Sequence, residues 1–87
     1  MNASNQMTEK QGWKIHFSLG NLYPTDITLQ ETQVIRDLNS ELKLTRIEAS
    51  DIIDWLQMVE SSKIGSPTFE AAVDKLRSFI QYKQQIA

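Results

Sequence analysis

The sequence predicts a mostly α fold: a three-helix domain, made of a helical hairpin and a long C-terminal helix, behind a short extended N-terminal segment. Three observations predict it. Thr28 and Glu31 stand three apart, and so do Thr45 and Glu48, which is the spacing of a capping box at the start of a helix. Behind each box the apolar residues recur at helical spacing, as Val34, Ile35, Leu38 and Leu42 and then as Ala49, Ile52, Ile53, Leu56 and Val59. Ser66-Pro67 then supplies a cap followed by proline in the first helical position, ahead of a third apolar stripe.

In chain order, residues 1–7 are polar and uncharged, carry nothing obvious to bury, and are expected to be disordered; residues 8–87 are expected to form one helical domain. Thr8-Glu9-Lys10-Gln11 has capping-box spacing, but the next residues point elsewhere. Trp13, Ile15, Phe17 and Leu19 alternate with Lys14, His16, Ser18 and Gly20, the period of a half-buried strand. Gly12 also weakens a helix there by about 1 kcal/mol relative to alanine. An extended segment over 12–19 is therefore expected, and it needs a pairing partner, because even an isolated hairpin is marginal.

Gly20 to Asp26 is a loop of turn-forming residues, with Pro24 excluding helix at Tyr23, and Leu22 and Tyr23 are expected to anchor it. Two helices follow over 28–61. Only Lys43 and Leu44 separate the last apolar position of the first from the cap of the second, so the two are expected as antiparallel neighbours or at a steep angle. Leu44 is placed to fold back on the second helix as a hydrophobic staple. Gly65 is the expected helix stop, and the last helix is expected from Pro67 to about Gln85, with Phe69, Val73, Leu76 and Ile80 as its main face.

Residues 28–56 also carry a resemblance. Thr28, Ile35, Leu38 and Leu42, followed by Leu44-Thr45-x-x-Glu48-Ala49-Ser50-x-x-Ile53-x-x-Leu56, resemble a small helical-hairpin module of phage, plasmid and other mobile-element proteins. In that module the position of Glu31 is usually glutamine, which would serve the same cap. The resemblance implies a setting among proteins of DNA recombination or replication. It implies no activity, since the module has no catalytic residues to carry over.

Composition narrows the function. The chain has no cysteine, hence no disulfide, thiol nucleophile or cysteine-bound zinc, as expected of a cytoplasmic protein. No apolar run approaches a membrane span, and the first ten residues lack the apolar stretch of a signal peptide, so Asn2-Ala3-Ser4 is read as a chance sequon. The net charge of −2 is uneven: residues 28–60 hold seven acids against three bases, residues 61–87 four bases against two acids. That balance argues against broad phosphate-backbone binding.

The candidate sites are few. His16, the only histidine, has no neighbouring orienting residue or second ligand and is set aside as a catalyst. Glu48, Asp51 and Asp54 share one side of a helix, yet nothing nearby completes a metal or acid–base site, leaving a solvated face or an acidic patch for a basic partner. Lys75, Arg77 and Lys83 are an ordinary number of bases for a long helix, and the helix beginning Arg46-Ile47-Glu48 leads with acids where a recognition helix would meet bases.

Ile47, Trp55 and Met58 form a second apolar stripe beside the core stripe of their helix, as do Ala71, Phe79, Tyr82 and Ile86 on the last helix. Such wide stripes are either covered by residues 12–19 or left for an interface, where large aromatic residues are favoured. The sequence thus points to a non-catalytic protein-interaction module, with no cofactor or metal. Trp55, Met58, Phe79 and Tyr82 are its anchors, and Asp51 and Asp54 its charged rim. Its expected partner is a protein, and the resemblance implies one that handles nucleic acid, which it would inhibit or recruit; a homodimer would also use the spare stripes. The alternative is a dimer binding DNA through the basic C-terminal helix with Lys10 and Lys14. An enzyme is the least favoured class, because no constellation of catalytic groups is present.

Overall fold

The structure, a computed structural model, describes residues 6–22, 29–41 and 43–86. These residues form four helices: α1 (Glu9–Gly20), α2 (Leu29–Ser40), α3 (Arg46–Ser61) and α4 (Pro67–Ile86). The fold is mostly helical as expected, with one helix more than the sequence reading allows.

The extra helix is the segment expected to be extended. The Gln11 N–H donates to Thr8 Oγ1 at 3.2 Å and the Thr8 N–H to Gln11 Oε1 at 2.9 Å, a complete capping box that opens α1. At about 100° per residue, the four large apolar residues then divide by fours rather than by twos. Ile15 and Leu19 turn inward and are buried, while Trp13 and Phe17 turn outward, 61% and 64% exposed. Alternation predicts a strand only if all four are buried together, and two of them are not. Gly12 serves close approach: a Cβ built there would lie 3.3 Å from Asn39 Oδ1, and Asn39 Nδ2 donates to the Gly12 carbonyl at 3.1 Å.

Strand-like pairing occurs earlier in the chain. Gln6 forms an isolated antiparallel bridge with Thr45, and the Met7 N–H donates to the Leu44 carbonyl at 3.2 Å. Met7 is buried. The last two residues of the stretch expected to be disordered are thus part of the folded structure; residues 1–5 lie outside the described residues.

The other elements start where their residues say they should. The α3 capping box is complete, with the Glu48 N–H donating to Thr45 Oγ1 at 3.1 Å and the Thr45 N–H to Glu48 Oε1 at 2.9 Å. Ser66 caps α4 through its Oγ, 3.3 Å from the Phe69 N–H. The expected box at Thr28 and the apolar contact of Leu42 lie outside the described residues, as does Tyr23, whereas Leu22 packs on the core. Gly65 is not the stop of α3, which ends at Ser61 with Ser62 extended; it sits in the following turn with φ of +83°, a conformation glycine adopts freely.

The expected packed hairpin of residues 28–61 is also corrected. α2 packs on α1 and α4, and α3 packs on α1 and α4, while α2 and α3 do not pack on each other. Around the core the helices follow the order α1, α3, α4, α2. Gln11 Nε2 donates to the Arg46 carbonyl at one end of α1 and Asn21 Nδ2 to Glu60 at the other, so α1 and α3 run parallel. Lys83, late in α4, meets Glu48, early in α3, so that pair is antiparallel. Asn39, late in α2, meets Gly12, early in α1, and that pair is antiparallel too. The hairpins are therefore α1–α2 and α3–α4. The short link before Thr45 crosses diagonally between them, with Leu44 buried beneath it. α1 takes the place beside α3 that the sequence reading gives to α2.

The shared core holds Ile15 and Leu19 of α1, Ile35 of α2, Ile52, Leu56 and Val59 of α3, and Phe69, Leu76 and Ile80 of α4. Burial of large side chains such as Leu56 and Leu76 contributes about 1.5–3 kcal/mol each. Among the described residues no polar or charged side chain is buried.

Candidate protein-interaction surface

α3 and α4 lie side by side along a seam that begins with charge and continues with rings. Lys83 Nζ stands 3.0 Å from Glu48 Oε2 and 5.6 Å above the Phe79 ring. Burial opposes the Glu48 charge, but the Thr45 N–H and the Lys83 ammonium more than offset it, so this carboxyl titrates below the ordinary glutamate value. Farther along, the Trp55 and Phe79 rings pack with centroids 6.3 Å apart, tilted by 59°. Both rings rest partly on the core, and Tyr82 stands beside them, 55% exposed. Together with Asp74, Lys75 and Ser78 the three aromatic residues line a shallow hollow of about 470 Å³.

Three of the expected anchors, Trp55, Phe79 and Tyr82, are thus brought together. Met58 is half-buried against the core one turn beyond Trp55 and does not line the hollow. The expected rim is corrected. Asp51 is exposed on α3 outside the hollow, and Asp54 faces the groove between α1 and α3 with Lys10, Lys14 and Arg46. Helical geometry separates Asp54 from its neighbour Trp55 by about 100°, which sends them to opposite flanks of α3. The charges beside the hollow are Asp74 and Lys75 instead.

Two bases of the C-terminal helix are engaged within the chain: Lys83 with Glu48, and Arg77, whose Nε donates to Glu31 Oε2 at 3.0 Å. Ile47 is 75% exposed on α3, and Ala71 is exposed on α4; the Ile86 side chain lies outside the described residues.

A second exposed apolar surface escapes the sequence reading. On the outer face of α1, Trp13 stacks on Phe17 with centroids 5.8 Å apart at 27°, and His16 meets both rings edge-on at 5.9 and 5.7 Å. The signal for it lies in the Thr8–Gln11 spacing, since a helix started there puts Trp13 and Phe17 one turn apart, opposite Ile15 and Leu19. Among the described residues no group of three or more histidine or acidic side chains is placed to hold a metal ion, and no helix is long and apolar enough to cross a membrane. No family model, curated protein or solved structure matches the chain.

Proposed function

We propose that the chain is a small non-catalytic interaction module that binds a protein partner along the α3–α4 seam. The observation that carries this reading is the meeting of Trp55, Phe79 and Tyr82 around an open apolar hollow. Aromatic side chains held against a rigid core supply contact area with little entropy left to lose, which is the usual make-up of an interface anchor. Asp74 and Lys75 at its edge would fix register more than affinity. The resemblance of residues 28–56 to a mobile-element module supports a phage or plasmid setting. It also supports a partner that handles nucleic acid, inhibited or recruited by this protein in the cytoplasm.

The test is affinity capture with the wild-type chain and with Tyr82→Ala and Trp55→Ala, each checked for unchanged helical circular dichroism. A protein retained by wild type and lost with Tyr82→Ala supports the reading. Equal retention by a folded Tyr82→Ala variant sinks it. If Trp55→Ala unfolds the domain, Trp55 is core rather than anchor and Tyr82 alone decides.

Direct DNA binding is the second reading. It now rests on Lys10, Lys14 and Arg46 along the α1–α3 groove more than on α4, where Arg77 and Lys83 already face carboxylates. Retention on duplex DNA that falls steeply with salt would favour it.

A further inference from the structure

The outer sides of α1 and α3 make one layer, because the two helices pack side by side and run parallel. Their exposed faces differ in chemistry. Lys10, Trp13, Lys14 and Phe17, spaced i, i+3, i+4 and i+7, give α1 a basic aromatic face. Ile47, Asp51, Asp54 and Met58, spaced i, i+4, i+7 and i+11, give α3 an acidic aliphatic face. All are exposed except Met58, which is half-buried. None of the four charged residues makes an ion pair among the described residues. Two complementary stripes therefore stand next to each other on one chain, meeting at the groove that Lys10, Lys14, Arg46 and Asp54 line without an ion pair among the described residues.

We infer that this layer is a self-association surface whose occupant is a second copy of the chain, each α1 lying on the α3 of the other copy. A two-fold axis along the α1–α3 groove produces that exchange and keeps helix directions parallel. Since Gln11 sits against Arg46 and Asn21 against Glu60, the axis brings Lys14 of one copy level with Asp51 of the other. By the same register Trp13 falls between Ile47 and Asp51, and Phe17 level with Asp54, within the stretch that Ile47 and Met58 bound. An axis across the helices would set α1 on α1 and α3 on α3, and would oppose lysine to lysine and aspartate to aspartate. An unrelated acidic partner would cover α1 and leave the acidic stripe of α3 bare, whereas a second copy covers both. α1 is about 18 Å long and two helices side by side are about 20 Å wide, a footprint of about 360 Å² per copy, which is the size of a weak, transient contact rather than of a stable interface. The dimer it makes is weak and concentration-dependent.

The surface lies apart from the α3–α4 seam, so the two proposals fail separately. The experiment is sedimentation equilibrium of the full chain across the micromolar range. Wild type should show a concentration-dependent dimer. Lys10→Glu with Lys14→Glu, and separately Asp51→Lys with Asp54→Lys, should each weaken it about tenfold or more, the size expected for like charges brought face to face. A mixture of those two variants, whose charges complement again across both contacts, should form a heterodimer more readily than either self-associates. Trp13→Ser with Phe17→Ser should abolish the dimer while helical circular dichroism stays unchanged. A wild-type chain that remains monomeric throughout overturns the inference. So does a dimer that survives the Trp13 and Phe17 substitutions, or charge variants that fail to recover when mixed.

Discussion

Lys83 Nζ lies 3.0 Å from Glu48 Oε2, so the last turns of α4 are tied to the carboxylate that also caps the first turn of α3. One side chain thus serves the start of one helix and the end of another. The two duties can be separated by substitution, because glutamine at this position keeps the cap but loses the charge.

Glu48→Gln is expected to lower stability at neutral pH by up to about 1 kcal/mol, and Glu48→Ala by more, since alanine removes the cap as well. The folded-state pKa of Glu48 lies below its ordinary value. Its charge-dependent contribution is therefore present above the unfolded carboxylate pKa and is lost as pH falls through the folded value. Urea unfolding of wild type and Glu48→Gln should differ at pH 7 and converge as the pH falls below the lowered folded-state pKa of Glu48. A gap that persists in acid would mean that the charge is not its source.

Gly12 and Asn39 should behave as a coupled pair. Alanine in a helix interior is favoured over glycine by about 1 kcal/mol. At Gly12, however, a Cβ would press on Asn39 Oδ1, whose amide is tethered to the Gly12 carbonyl. Gly12→Ala alone is expected to be neutral or destabilising. In an Asn39→Ala background, where the obstruction is gone, the same change should stabilise. A double-mutant cycle measures the coupling, and additive effects would show that the close approach carries no constraint.

Core and surface substitutions should separate cleanly. Leu56→Ala and Leu76→Ala remove fully buried side chains and should cost about 2–5 kcal/mol each. Met7→Ala should also destabilise, by about 2 kcal/mol, because Met7 is buried near Leu44 rather than part of a loose tail. Ile47→Ala, on an exposed position, should stay within about 0.5 kcal/mol of wild type. Thermal unfolding of the four variants checks the order, and a Met7→Ala midpoint equal to wild type would return that residue to the tail.

How far the fold can be read from sequence differs by helix, for physical reasons. α3 and α4 are legible because cap, period and burial agree: the Thr45–Glu48 box and the inward run from Ala49 to Val59 leave little choice. α1 is misread because its outward residues are as large and apolar as its inward ones, and Trp13 and Phe17 disguise a helical period as alternation. The placement of α1 and α2 around the core is not legible. Link length suggests that α2 and α3 should touch, but the place beside α3 goes to α1, whose glycine lets Asn39 of α2 approach from the other side. The α3–α4 seam is readable from Trp55, Phe79 and Tyr82, because wide stripes on two neighbouring helices must share an edge. Asp54 is misplaced because closeness in sequence is not closeness on a helix surface.

The diagonal link before Thr45 also predicts an order of events in folding. Each hairpin, α1–α2 and α3–α4, closes over a short loop and can form from local contacts, at little cost in chain entropy. Joining them pairs α1 with α3 across some 35 residues, as Gln11 with Arg46 shows, and that step must wait for both halves. Leu44 lies under the joint, so its contacts are completed late. Truncating Leu44 should chiefly speed unfolding, whereas truncating Phe69 within the α3–α4 hairpin should slow folding. The residue that closes the joint is then the one that sets how long the folded chain lasts.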